Sequence, residues 1–122
     1  MLFLVGTSVS AQETHTLESA KLELKENISL YVYTKYGKDI KADRLLATIM
    51  CESGFKSIQS KVPSKTGPNG REDSWGIAQI HLPSHPTISR QQALDPAFSI
   101  RWMIEQWVQG NQEHWTCYRD LY

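Results

Sequence analysis

A reading of this chain's chemistry starts at Glu52, in the run Cys51-Glu52-Ser53-Gly54-Phe55. The carboxyl group closes an apolar segment with helical spacing. Two influences act on an acid in such a place: loss of solvation, and the negative end of the helix dipole. Both raise its pKa. An acid that keeps its proton near neutrality can protonate a leaving oxygen, as glycosidic cleavage requires. The alternatives are a Glu paired with Lys or Arg, and one turned to water at a frayed helix end. Downstream lies Ser74-Trp75-Gly76-Ile77-Ala78-Gln79-Ile80. It offers a hydroxyl and an amide for hydrogen bonding, and a glycine that allows close backbone approach.

Other reactive residues point elsewhere less well. Zinc would need His81 and His85 with Cys51 and Cys117. Pro83 and Pro86 prevent a helical pair of histidines, and no Cys-x-x-Cys exists, so no metal or other cofactor is expected. A Cys51 nucleophile competes with a disulfide. The pair Cys51 and Cys117 fits one disulfide in an oxidising compartment, two buried thiols being the alternative. Such a bond would close a 66-residue separation and contribute about 4 kcal/mol. Four Trp are many for this length, and their faces suit sugars, but Trp107 falls on a helix stripe and reads as core.

The elements that must position these groups are mainly helical. Leu17, Ala20, Leu24, Ile28 and Tyr31 recur at three- and four-residue steps and predict a helix over 17–36, ended by Gly37. A second helix is expected over 42–53, with Leu45, Leu46, Ile49 and Met50 inward and Gly54 as its stop. Glu52 lies at i+7 and i+3 from Leu45 and Ile49, along the buried side. Residues 56–73 read as a long loop, rich in Pro and Gly. Residues 74–80 fit a strand or a short helix, and Pro83 and Pro86 predict an extended exit. A short helix is expected over 88–93, capped by Thr87 or Ser89. Asp95-Pro96 opens another, with Ala97, Ile100, Arg101, Ile104, Trp107 and Val108 on one face. Trp115, Tyr118 and Tyr122 mark a last one. The fold class expected is a small, mainly α single domain with at most a minor β element.

Composition bounds the partners. The chain has 122 residues, with 13 Lys and Arg against 13 Asp and Glu. Zero net charge argues against nucleic acid as a partner. Met1 to Ala11 is apolar and then small, and Val9-Ser10-Ala11 has a signal-peptide cleavage pattern, though a basic n-region is missing. The expectation is a signal remnant over 1–11 and an exported domain over 12–122: periplasmic, wall-associated or extracellular. An ordinary N-terminus is the alternative. The apolar run is too short to span a bilayer.

Glu52-Ser53-Gly54-Phe55 resembles the Glu-Ser-Gly segment of lytic transglycosylases, the SLT-type enzymes of the goose-type lysozyme-like group. Ser74 to Ile80 is similar to their Ser-x-Gly-Leu-Met-Gln-Ile segment, with Ile77 and Ala78 replacing Leu and Met. Leu94-Asp95-Pro96 and the helix after it resemble the next family block. The resemblance spans about residues 28–108. It implies a lysozyme-like helical fold and cleavage of the β-1,4 bond between N-acetylmuramic acid and N-acetylglucosamine in peptidoglycan. Glu52 would be the sole acid/base, forming 1,6-anhydro products. Ser74 would orient Glu52 or the sugar, Gly76 would admit the glycan, and Gln79 would hydrogen-bond the sugar beside the scissile bond. The family's C-terminal Ala-Tyr-Asn-Ala-Gly-like segment is missing. Glu113 to Tyr118 stands there instead, and Tyr118 would line the site, held near Glu52 if Cys51 bonds Cys117. The implied partner is the peptidoglycan strand, met by a monomer. The alternatives are a hydrolytic muramidase, with Glu72 or Asp73 as base, and a catalytically silent glycan-binding module.

Overall fold

The computed structural model describes the backbone of residues 9–122, and side chains from Ser19 onward except Asp39. The expected signal remnant over 1–11 falls outside the described residues up to position 8, and Val9-Ser10-Ala11 is part of the first helix. Among the described residues, no helix is long and apolar enough to cross a membrane.

Among the described residues, five α-helices and one two-stranded antiparallel sheet make a mainly α domain: α1 (Val9–Tyr36), α2 (Ala42–Ser53), β1 (Ser74–Trp75), β2 (Ile80–His81), α3 (Arg90–Leu94), α4 (Pro96–Val108) and α5 (Thr116–Leu121). Helix α1 packs on α2 and α4, and α2 packs on α5. Val32, Leu45, Ile49, Ile80, Met103 and Ile104 are fully buried where these elements meet. Each such side chain contributes roughly 1.5–3 kcal/mol relative to exposure.

The expected stripes are partly corrected. On α1 the inward row is Leu24, Ile28 and Val32, while Tyr31 is exposed and edges against Tyr36. On α2, Leu45 and Ile49 are buried, Met50 is 39% exposed, and Thr48 takes an interior place. Its hydroxyl donates to Arg44 O at 2.8 Å, which lets a polar residue sit inside. On α4 the buried face is Ser99, Ile100, Met103, Ile104 and Trp107, with Ala97, Arg101 and Val108 outward.

Capping follows the sequence closely. Ser89 caps α3 in a capping box with Gln92, and Asp95 Oδ1 accepts from Ala97 N at 3.1 Å to start α4. The largest departure is over 56–73, which is ordered by pairing and not an open loop. Ser60 N donates to Ser74 O at 2.8 Å, Gly76 N to Ile58 O at 2.9 Å, and Glu72 N to Val62 O at 2.8 Å. Bridges Gln59–Trp75 and Pro63–Arg71 complete an antiparallel ribbon. The buried Gln59 side chain pins its tip, donating to Pro68 O at 2.8 Å and accepting from Asn69 Nδ2 at 3.0 Å. Residues 74–80 are neither one strand nor a helix. They form a hairpin whose turn is Gly76–Gln79, with Trp75 opposite Ile80. The exit after it is a 3-10 turn, Leu82–Ser84, where an extended segment was expected.

Candidate active site

The end of α2 sets Glu52. Gly54 adopts a left-handed conformation (φ 63°) and its amide donates to Met50 O at 3.0 Å, closing the helix. Ser53 is buried and donates to Ile77 O at 2.7 Å, which ties the helix end directly to the hairpin turn. The residue after Glu52 thus fixes how that carboxyl meets the residues from 74 to 79.

The turn itself lies in the interior, where its backbone groups need partners. Four side chains provide them. Ser53 serves Ile77 O, as above. Ser99 of α4 accepts from Ala78 N at 2.9 Å, and Trp115 Nε1 donates to Ala78 O at 2.7 Å. Gln79 Nε2 donates to Gly76 O at 2.9 Å and Ile58 O at 3.0 Å. Gln79's amide nitrogen is thereby occupied, and its oxygen is the end left for another donor.

Glu52, Glu72, Ser74 and Gln79 line one cleft of about 520 Å³, with His81, Ser84, His85, His114, Trp115 and Thr116 completing it. Of the residues expected at the site, Glu52, Ser74 and Gln79 are brought together. Ser74 Oγ donates to Glu72 Oε1 at 2.9 Å and does not reach Glu52. Glu72, expected either as the base of a hydrolytic route or as a solvated loop acid, lines the cleft. Asp73 is not part of that lining; it accepts from Trp75 Nε1 at 2.6 Å, and the Arg90 guanidinium lies over the Trp75 ring at 4.2 Å.

Two expectations are corrected. Gly76 does not open onto the cleft. Its φ is 84°, and an added Cβ would lie 1.8 Å from Ala93 O and 3.0 Å from Ser99 Oγ. The glycine is required by close packing against α3 and α4. Gly76→Ala should lower the urea-unfolding free energy by about 2–3 kcal/mol, because backbone atoms cannot yield. An unchanged midpoint would contradict this packing. Tyr118 does not line the cleft either. It stands edge-on to Trp107 at 5.2 Å and packs on Tyr122 at 5.3 Å, half-buried.

What the C-terminal segment does bring is a backbone amide. Cys51 and Cys117 are bonded, with Cα atoms 6.0 Å apart. The amide of Cys117, in the first turn of α5, donates to Glu52 Oε2 at 3.1 Å. Burial pushes Glu52 above the ordinary carboxylate value; the Cys117 amide opposes this, Glu72 adds to it, Arg119 opposes it and Asp120 adds to it, with the net direction upward. Glu52 thus lies between two helix ends, the negative end of α2 and the positive end of α5.

Sequence reasoning overlooked Ser53, Ser99 and Trp115 as supports of the turn, and left Glu72 and Asp73 as equal candidates for the base. A signal separating those two existed. Read as a strand, 71–75 places Glu72 and Ser74 on one face and Arg71, Asp73 and Trp75 on the other. Searches against models of protein families, curated proteins and solved structures returned no match.

Proposed function

We propose that this protein is an exported peptidoglycan lytic transglycosylase with Glu52 as its acid and base. The observation that carries this reading is the setting of Glu52. It is a carboxyl group held toward its protonated form by burial, lining one cleft with Gln79 and Ser74. The resemblance of both motifs to lytic transglycosylases supports the same reaction.

Protonated Glu52 gives its proton to the oxygen bridging N-acetylmuramic acid and N-acetylglucosamine, and the glycosidic bond breaks. The substrate's own acetamido group supports the oxocarbenium-like centre. Glu52, now ionised, takes the proton of the muramyl C6 hydroxyl, whose oxygen closes the 1,6-anhydro ring. One group must therefore serve in both protonation states. The Cys117 amide fits that demand, because it stabilises the carboxylate that burial disfavours. Gln79, with its nitrogen engaged, accepts from a sugar amide or hydroxyl. The disulfide accords with an oxidising compartment, and the strand is met by a monomer.

Purified sacculi test the reading: turbidity should fall and soluble fragments should carry anhydro ends, lighter by one water than reducing ends. Absence of any released fragment counts against an enzyme and favours a glycan-binding module. Glu72 gives a second reading its specific support, since a second carboxylate in the cleft could activate water and make the enzyme a hydrolytic muramidase. Glu72→Gln separates them. A transglycosylase should keep its rate within roughly tenfold and its anhydro products, whereas a hydrolase should lose roughly 10²–10⁴-fold. Product mass and initial rate decide the matter.

A further inference from the structure

The reaction proposed for the cleft uses its carboxylates and amides but none of its three imidazoles. His81 and His85 leave the hairpin together, and His114 arrives from the 3-10 turn before α5. Two are held in place. His81 Nδ1 lies 2.7 Å from Ser84 Oγ, and the His85 ring meets Trp102 edge-on at 4.9 Å. His114 is exposed and tilts over Trp115 at 6.4 Å. No Lys or Arg is among the described residues lining the cleft. Imidazole protonation is therefore the lining's own source of positive charge.

We propose that His81, His85 and His114 form a charge-switched subsite for the carboxylate-bearing substituent on C3 of the muramyl sugar. This inference rests on the glycan-cleaving reading and deepens it. The substituent is a lactyl group, either free as a carboxylate or extended by an acidic peptide. An ionised carboxylate at Glu72, and at Glu52 once it has given up its proton, would repel it. Carboxylates ionise above about pH 4 and histidine in general gains its proton below about pH 6.5, so attraction falls between those limits. Where the imidazoles are neutral, the carboxylates of the lining dominate. Burial first, and then the neighbouring His114 and His81, hold His85 below the ordinary imidazole value. The other charged groups nearby are Glu52 from α2, Glu72 from the ribbon, Arg119 and Asp120 of α5 acting on Glu52, and Glu113 beside His114. Helix α4 presents Trp102 to His85 and adds no ionisable group to the lining.

Binding to Glu52→Gln protein, which holds strands without cutting them, provides the test. Three ligands are compared at about pH 5 and pH 7.5, the two sides of histidine titration. They are a neutral N-acetylglucosamine tetramer, strands stripped of peptide and strands bearing peptide. Affinity for carboxylate-bearing strands relative to the tetramer should rise about fivefold at the lower pH. Adding His81→Gln, His85→Gln and His114→Gln, the first and last at exposed positions, should flatten that rise. A rise with stripped strands assigns the lactyl carboxylate, and a rise confined to peptide-bearing strands assigns the peptide. A pH-independent ratio, or a rise that survives the added substitutions, overturns the subsite while leaving the function standing. Binding of no ligand at either pH removes the glycan reading and the subsite with it.

Discussion

Glu52→Gln lowers the rate of fragment release from sacculi by roughly 10²–10⁴-fold, while the protein melts at the same temperature or slightly higher at pH 7. Gln keeps the shape, and its amide oxygen can still accept from the Cys117 amide. What it loses is the transferable proton. The stability sign follows from burial, which pushes Glu52 above its ordinary value of 4.5. The folded state then holds the proton more tightly than the unfolded chain. Stability declines as pH rises from the unfolded pKa to the folded one, and the cost is fully present above the folded pKa. Gln never ionises, so its advantage over wild type should be absent at low pH and present at pH 7. Wild-type activity should decline over the same rise in pH, as the acid is lost. Melting curves and initial rates across pH check both halves. Full activity in the Gln variant would remove Glu52 from the chemistry.

The parts of this molecule legible in its sequence are those governed by local rules. The end of α2 at Gly54, the Asp95 and Ser89 caps and the start of α4 all follow from capping chemistry within a few residues. The disulfide was likewise expected from the pairing of two cysteines. The ribbon over 58–76 was not legible, because its pairing joins residues through a turn-rich tip whose order depends on Gln59. Tertiary partners also decide the roles of Ser53 and Ser99. A serine near the end of a helix and one inside another carry no local sign that they hold the same turn. Gly76 was singled out correctly as special but for the wrong neighbour, since the approach it permits is that of Ala93 and not of a ligand. Local composition suggested an acid at Glu52. The opposing influence of the Cys117 amide required knowing where α5 begins.

Cys51→Ser with Cys117→Ser lowers the unfolding free energy by about 4 kcal/mol, since the bond closes a 66-residue separation in the unfolded chain. For a domain of this size that corresponds to a melting temperature lower by roughly 10–20 °C. The bond also has a chemical consequence, because its two half-cystines flank the site. Cys51 precedes Glu52, and the amide of Cys117 itself holds the carboxylate. A serine at 117 retains that amide, so only its placement is loosened. The amide holds Glu52 down against burial. Weakening it should raise the Glu52 pKa and carry the alkaline limb of activity to higher pH, while slowing the step in which Glu52 must be ionised. Activity profiles taken well below the variant's melting temperature separate the two effects. If stability falls and the limb stays in place, the packing of Tyr118 on Trp107 positions α5 on its own, and the disulfide acts on stability alone. If the limb moves, the same covalent bond both secures the C-terminal helix and tunes the acid, in a chain where Tyr118 lies away from the cleft.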